Sequence, residues 1–367
     1  MTSISCSQDD KIVIPGLSCD YRFTEESVNV LVQNPPPPCP TGTWENQNIY
    51  LNRYNYYSPV FNPKNPNQIA YIRVDTLALF SREDAVELQV FDMCSGSMNV
   101  VKQDSIQRLK TDWSSTNWLL YGKWYEDMYK VRPDGTLNIK TVDTPVSLGD
   151  GPIPIWNGSG TQMAWINGEL RYHYPPHILV CGFVILDEYG VEVDTINQFC
   201  RRITPPGPNY QPYQEGNLEL FEVDNWSWSP DDKKIACSAR SLVDYTYVYG
   251  LFYYDFDFDG IVFVDDLLIT SWYGSVTSTA WMPDSRKLVW STERSIVQKD
   301  IDTGERKIIL TSQGNHRYKN IDISPDGKTI IIERLNRVVV DGCTKTEHAL
   351  YLVNSDGTDE RRIIIPE

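Results

Sequence analysis

The sequence has no apolar run approaching the roughly 20 residues of a transmembrane helix, so no membrane-spanning helix is predicted. It has no C-x-x-C pair, and eight cysteines in 367 residues are too sparse for a disulfide scaffold. The chain has 33 lysine and arginine residues and 49 aspartate and glutamate residues, which gives a formal net charge of −16. Nucleic-acid binding needs clustered lysine and arginine, so no nucleic-acid partner is predicted, and cationic ligands or basic protein segments are favoured.

Motifs for several kinds of enzyme are missing as well. There is no G-x-S-x-G nucleophile elbow, no P-loop and no dinucleotide-binding glycine pattern. Histidine is scarce, with only four: His173, His177, His316 and His348. We therefore predict no catalytic residue.

What the sequence does contain is a repeat, clearest near the C-terminus. Residues 320–365 alternate apolar and polar residues in four short runs, separated by turns such as Pro325-Asp326-Gly327. The pattern predicts a four-stranded antiparallel meander. One such sheet cannot bury both faces alone, so the same unit should recur along the chain.

The unit occurs six times along the chain. Each copy begins with an apolar or aromatic anchor followed by a polar turn and a second strand; the anchors are Phe61, Trp113, Trp156, Trp228, Trp281 and Ile323. Four-stranded units at intervals of about 40–50 residues are typical of β-propellers, in which each blade buries its faces against its neighbours. The predicted fold is all-β: a six-bladed β-propeller of four-stranded antiparallel blades with an extended N-terminal arm.

Three stretches, WSPDDKKIACSAR (228–240), ISPDGKTIIIERL (323–335) and ALYLVNSDGTDERRI (349–363), resemble the repeats of TolB-like propellers. The resemblance covers residues 54–367 and implies a bacterial envelope protein of the periplasm or outer membrane. Similar repeats occur in propeller domains of serine peptidases and in some polysaccharide lyases, so the resemblance specifies the fold better than the function.

The N-terminal part lies outside the repeat. Residues 1–46 are predicted to be a tether containing the proline-rich run 34–40, and residues 47–367 form the propeller. Residues 27–33 and 47–52 are the two candidates for a strand that closes the ring. The segment Ile4–Lys11 resembles the end of a Bacteroidetes-type lipoprotein signal, which implies lipid attachment at Cys6 as the only membrane contact.

One stretch fits a cation site. Asp255, Asp257 and Asp259 follow the D-x-D-x-D-G spacing of a calcium loop, with Asp266 at its twelfth position. The same residues also fit a β-hairpin whose turn contains Gly260. Apart from this calcium, no cofactor is predicted.

Ligand-binding residues are expected in the loops from one blade's outer strand to the next blade's inner strand, with a rim from two insertions. The candidates are His316, Arg317, Tyr318, Asp224, Asn225, Trp272, Tyr273, His173, His177, Tyr210 and Tyr213. The predicted protein is a non-catalytic binding protein of the cell envelope, monomeric or part of a complex, with an envelope protein or a glycan as partner. The alternatives are a metal-dependent polysaccharide lyase and a structural subunit of an envelope complex.

Overall fold

In this computed structural model, the described residues are 49–50, 52–76, 86–103, 106, 110–122, 128–142, 154–171, 178–196, 222–243, 246–267, 276–340 and 343–366. All regular secondary structure within these ranges is β-strand, as predicted. The described part of the chain accordingly contains no helix long and apolar enough to cross a membrane.

The strands form six sheets that follow one another along the chain. Blade 1 consists of β2 (Tyr54–Asn62), β3 (Asn65–Asp75), β4 (Val86–Asp92) and β5 (Ser97–Gln103). Blade 2 consists of β6 (Asp112–Trp113), β7 (Leu119–Gly122), β8 (Met128–Val131) and β9 (Ile139–Val142). Blade 3 consists of β10 (Ile155–Trp156), β11 (Gln162–Arg171), β12 (Ile178–Asp187) and β13 (Glu192–Ile196).

The remaining blades repeat this antiparallel order. Blade 4 consists of β14 (Glu222–Trp228), β15 (Lys234–Val243), β16 (Thr246–Asp255) and β17 (Gly260–Leu267). Blade 5 consists of β18 (Val276–Trp281), β19 (Lys287–Thr292), β20 (Ser295–Asp300) and β21 (Arg306–Thr311). Blade 6 consists of β22 (His316–Ile323), β23 (Thr329–Val340), β24 (Cys343–Asn354) and β25 (Arg361–Arg362). The sixfold, four-stranded prediction is confirmed.

A further strand from the N-terminal side closes the ring. β1 (Ile49–Tyr50) pairs in parallel with β24 at Lys345 and Thr346, beside the edge that β25 also uses. It falls within 47–52, one of the two predicted closing segments; the other, 27–33, lies outside the described residues.

The core is divided among the interfaces between blades. Six buried clusters each combine residues of two neighbouring blades, and together they connect every blade to the next, including the sixth to the first. Ile331 and Leu350 of blade 6, for example, pack with Phe61 and Tyr71 of blade 1. Each sheet thus buries both faces only because the ring is complete.

The turn after the innermost strand has the same backbone in five blades. The residue four positions after the anchor has a positive φ in each case: Asn117, Gly160, Asp232, Ser285 and Gly327. Its N–H donates to the carbonyl three residues earlier, the hydrogen bond of a tight turn. These turns place equivalent side chains around the end of the central channel.

Candidate binding cavity at the mouth of the channel

The mouth of the central channel at these turns forms a cavity of about 330 Å³ to which all six blades contribute. Four of its wall residues are anchor tryptophans: Trp113, Trp156, Trp228 and Trp281. The residue two positions after each anchor also lines it: Pro63, Ser115, Gly158, Pro230, Pro283 and Pro325. The result is a concave opening with aromatic and proline walls, a composition suited to small-molecule or side-chain ligands.

Contacts between neighbouring turns fix the shape of this mouth. The Ser159 N–H donates to the Asp232 carboxylate at 3.1 Å, and the Asp231 N–H donates to Ser285 Oγ at 3.0 Å. Gly158 approaches the Pro230 carbonyl so closely that a Cβ would lie 2.1 Å from that oxygen. Because blades 3, 4 and 5 interlock in this way, the opening is pre-formed.

Two carboxylates, Asp112 and Asp322, line the same cavity. Each directly precedes an anchor on the innermost strand of its blade and accepts a hydrogen bond from the next blade. Asp112 Oδ2 accepts the N–H of Trp156 at 2.6 Å, and Asp322 Oδ2 accepts the N–H of Phe61 at 2.7 Å. The equivalent positions in the other blades are uncharged: Val60, Ile155, Ser227 and Ala280.

Burial shifts both acids towards the protonated form. It raises the pKa of Asp112 to about 6, although N–H donors from Trp156 and Trp113 act in the opposite direction. Burial raises the pKa of Asp322 to about 7, and the negative charge of Asp112 adds to this shift. Both residues retain intermediate exposure because they line the cavity, while protein atoms crowd their other sides.

Neither carboxylate has a cationic neighbour in the described part of the chain. The only groups that act on their pKa values are backbone N–H donors and, for Asp322, the other acid. Buried carboxylates in proteins are usually paired with a cation or a metal. The cavity therefore contains two acids whose charge nothing in the described structure neutralises.

The architecture around this cavity has counterparts among solved structures. A protein assigned as TolB in Agrobacterium tumefaciens shares 17% identity over 75% of this chain and 87% of its own, with a TM-score of 0.50. An oligogalacturonate lyase in complex with manganese shares 14% identity over 85% of this chain and 78% of its own, with a TM-score of 0.52. An oligogalacturonate lyase of Vibrio parahaemolyticus shares 12% identity over 87% and 80%, with a TM-score of 0.50.

The chain shares the propeller fold of these structures. No protein-family model matches its sequence, and no curated protein matches it. At these identities the likeness concerns the fold alone, and the chemistry must be argued from the residues of the cavity.

The predicted site around His316 lies on β22, at its first three residues. Arg317 pairs with Glu293 at 2.8 Å, and Tyr318, only 1% exposed, packs between blades 5 and 6. Burial and the charge of Arg334 lower the pKa of His316, whose Nε2 lies 3.4 Å from Tyr318 Oη. These three residues thus make contacts within the fold, and ligand binding by them stays a prediction.

Asn225 is the fourth predicted ligand-binding residue with a described side chain. It has a positive φ of 47° at a β-bulge of β14. Its Oδ1 accepts a hydrogen bond from Lys110 Nζ of blade 2 at 3.2 Å, and its Nδ2 donates to the Val276 carbonyl of blade 5 at 3.0 Å. The Lys110 contact joins two blades that are not neighbours in the ring. Asp224 pairs with Ser238 through the same strand, and its side chain lies outside the described residues.

The other predicted ligand-binding residues cannot be placed. His173, His177, Tyr210, Tyr213, Trp272 and Tyr273 lie outside the described residues, as does Cys6. His348, the remaining histidine, lies within β24; its Nδ1 is 2.7 Å from Glu333 Oε1 and its ring stacks on Tyr57.

The predicted calcium loop forms the hairpin between β16 and β17. Asp255 Oδ1 accepts the N–H groups of Asp257 and Phe258, Asp257 pairs with Lys233 at 2.6 Å, and Asp259 accepts the Tyr254 hydroxyl. Asp266 lies in β17 with its side chain undescribed. The described residues contain no group of three His, Cys, Asp or Glu side chains placed to hold a metal. Calcium binding stays a prediction, which calorimetric titration with Ca²⁺ tests.

Sequence reasoning missed Asp112 and Asp322. A usable signal was present, because a carboxylate immediately before an apolar anchor lies on the opposite face of the strand from that anchor. Only the copies in blades 2 and 6 carry it.

Proposed function

We propose that this chain is a non-catalytic binding protein of the bacterial cell envelope that takes a protein segment into the channel mouth. The observation that carries the proposal is the cavity built from equivalent residues of all six blades. Its proline and tryptophan walls offer flat apolar surface, and its acids offer polar contacts deeper in. Tryptophan and proline surfaces of this kind favour extended peptide segments.

The envelope location is supported by three features. Cys94 is disulfide-bonded, which suits an oxidising compartment. The TolB-like fold occurs in a bacterial protein assigned as TolB, and the resemblance of the repeats points the same way. Lipid attachment through Cys6 belongs to the same proposal, and mass spectrometry of Cys6-containing peptides from the native host tests it.

Capture of partners from envelope extract tests the binding proposal when it is run with a variant of the mouth. Trp281→Ala removes one wall of the cavity, and Trp290→Ala, a buried tryptophan away from the mouth, is the matched control for lost packing. A partner retained by wild type and by Trp290→Ala but lost by Trp281→Ala supports the proposal. A glycan array in parallel tests the other ligand class, and equal capture by all three proteins contradicts use of this mouth.

A metal-dependent lyase is the second candidate, favoured by one comparison: a structure with this fold is an oligogalacturonate lyase in complex with manganese. Such an activity here would need His316 and the histidines His173 and His177. Elemental analysis of the purified chain and an assay for unsaturated products from oligogalacturonate test it. Activity that requires a divalent ion and disappears in His316→Ala would favour the lyase over the binding protein.

A further inference from the structure

We propose that the cavity receives a lysine or arginine side chain of the bound segment and holds its charge beside Asp112 and Asp322. This inference rests on the proposed function and names the chemistry that the mouth selects. It is carried by the joint presence of two acids without a cationic partner and four tryptophans around one opening.

The carboxylates have free capacity for a cation. Each uses its oxygens for backbone N–H donors of its own blade and the next, and no lysine, arginine or histidine of the described chain pairs with either. A carboxylate that accepts two hydrogen bonds retains further lone pairs, so an ammonium or guanidinium group can be added without breaking those bonds.

The walls suit the rest of such a side chain. Trp113, Trp156, Trp228 and Trp281 line the same cavity as the two acids, and aromatic rings attract cations while apolar surface covers the alkyl stem. A cavity of about 330 Å³ is at the small end of ligand pockets, so it fits one long side chain rather than a bulky ligand. The formal charge of −16 favours a cationic partner at long range.

A free metal ion is a poorer match for this cavity than a cationic side chain. Within the described residues the cavity supplies only two carboxylates, and no group of three metal-ligating side chains is present.

Protons should be released when the cation binds. The negative charge of Asp112 raises the pKa of Asp322, and no other titratable group of the described chain contributes to the shift of either acid. The empty cavity favours their protonated forms, whereas a bound ammonium or guanidinium favours the carboxylates. When the cation binds, a carboxyl group therefore loses its proton to solvent, and the resulting carboxylate pairs with the charge of the ligand.

The test uses the full chain with four probes: acetyl-Gly-Arg-Gly-amide, its lysine and glutamate versions, and a norleucine version of matched length without charge. Affinity is measured by calorimetry and by tryptophan fluorescence, in wild type, Asp112→Asn, Asp322→Asn and the control Asp134→Asn. Asp134 is an exposed acid on the β8–β9 hairpin. Thermal melting checks that each variant is folded.

We expect the arginine and lysine peptides to bind wild type and Asp134→Asn at least about tenfold more tightly than norleucine, and each cavity variant to lose about tenfold. With wild type alone, calorimetry in two buffers of different ionisation enthalpy should show proton release between pH 5.5 and 7.5. Affinity should rise with pH, by at most about tenfold per unit for each proton released.

Several results would overturn the inference. They are equal affinity for the norleucine peptide, unchanged affinity in both cavity variants, absence of proton release, or no arginine-peptide binding at millimolar concentration. Binding of Mn²⁺ alone that disappears in the same variants would replace the peptide cation by a metal. If a captured partner binds wild type and the Asp variants equally but is lost by Trp281→Ala, this inference fails while the proposed function stands. If nothing is captured through the mouth, both fail.

Discussion

Replacing Asp322 by asparagine should make the empty propeller more stable at pH 8. Burial raises the pKa of this acid from 3.8 to about 7 in the folded protein. An acid whose pKa is raised by folding binds a proton more tightly in the native state, so its ionisation opposes folding. The penalty is absent below the unfolded value of 3.8, grows as pH rises, and is complete above about 7.

The size of the effect follows from the shift. At about 1.36 kcal/mol per pKa unit, a shift of roughly three units corresponds to a ceiling of about 4 kcal/mol. Water in the cavity reduces this value, and asparagine loses one accepted hydrogen bond, worth about 1 kcal/mol. We therefore expect Asp322→Asn to gain about 1–3 kcal/mol in free energy of unfolding at pH 8, and to lose that gain between pH 7 and pH 4.

Thermal and urea unfolding of wild type and Asp322→Asn at pH 4.5, 6 and 8 measure this. Asp134→Asn is a control for which the opposite change in stability is expected, because hydrogen bonds from Thr136 lower the pKa of Asp134. That carboxylate stabilises the fold above the unfolded pKa and loses its contribution as pH falls, so its replacement should be slightly unfavourable at pH 8. An Asp322→Asn protein less stable than wild type at pH 8, with a difference that does not change with pH, would refute the reasoning.

Three further predictions concern the frame of the ring. Gly158→Ala should lower the free energy of unfolding by about 1–3 kcal/mol, because the new Cβ would meet the Pro230 carbonyl, whereas Ser159→Ala should cost less; urea unfolding compares the two. Glu333→Ala should lower the free energy of unfolding by about 3–5 kcal/mol, since its buried carboxylate accepts the Ser58 N–H and contacts His348. A melting temperature within about 2 °C of wild type, which corresponds to about 1 kcal/mol, would contradict this. Cys237 is fully buried and burial raises its pKa, so maleimide should label it only when the protein unfolds. Rapid labelling of the native protein, measured by peptide mass mapping, would argue against the packing of blade 4.

The fold was predictable from sequence because short local patterns of turn residues and alternating apolar residues specify each repeat. Anchors such as Trp228 and Trp281 are followed by Ser/Pro/Asp turns that five blades realise with one backbone conformation. The residue at the positive-φ position varies among Gly, Asn, Asp and Ser, yet each tolerates that conformation better than a branched side chain. Turn chemistry and alternation therefore specified the blade even where identity between copies was low.

The cavity was harder to predict because its lining comes from all six blades and is assembled only when the ring forms. Loop aromatics and histidines directed the search to the connections between blades, whereas the described opening lies at the turns after the innermost strands. The acids Asp112 and Asp322 are remote in sequence and become neighbours only through the ring. A search for charged residues immediately before each anchor would have found them.

The pairing of β1 with β24 ties the start of the ring to its end. Asn52 donates to Glu347 across 295 residues, and Arg362 reaches the same carboxylate at 2.6 Å. Until the last blade has been synthesised, one face of the first blade is therefore uncovered. Contacts of such long sequence separation slow folding and leave strand edges exposed meanwhile. Closure of the ring is accordingly a step that needs both ends of the propeller.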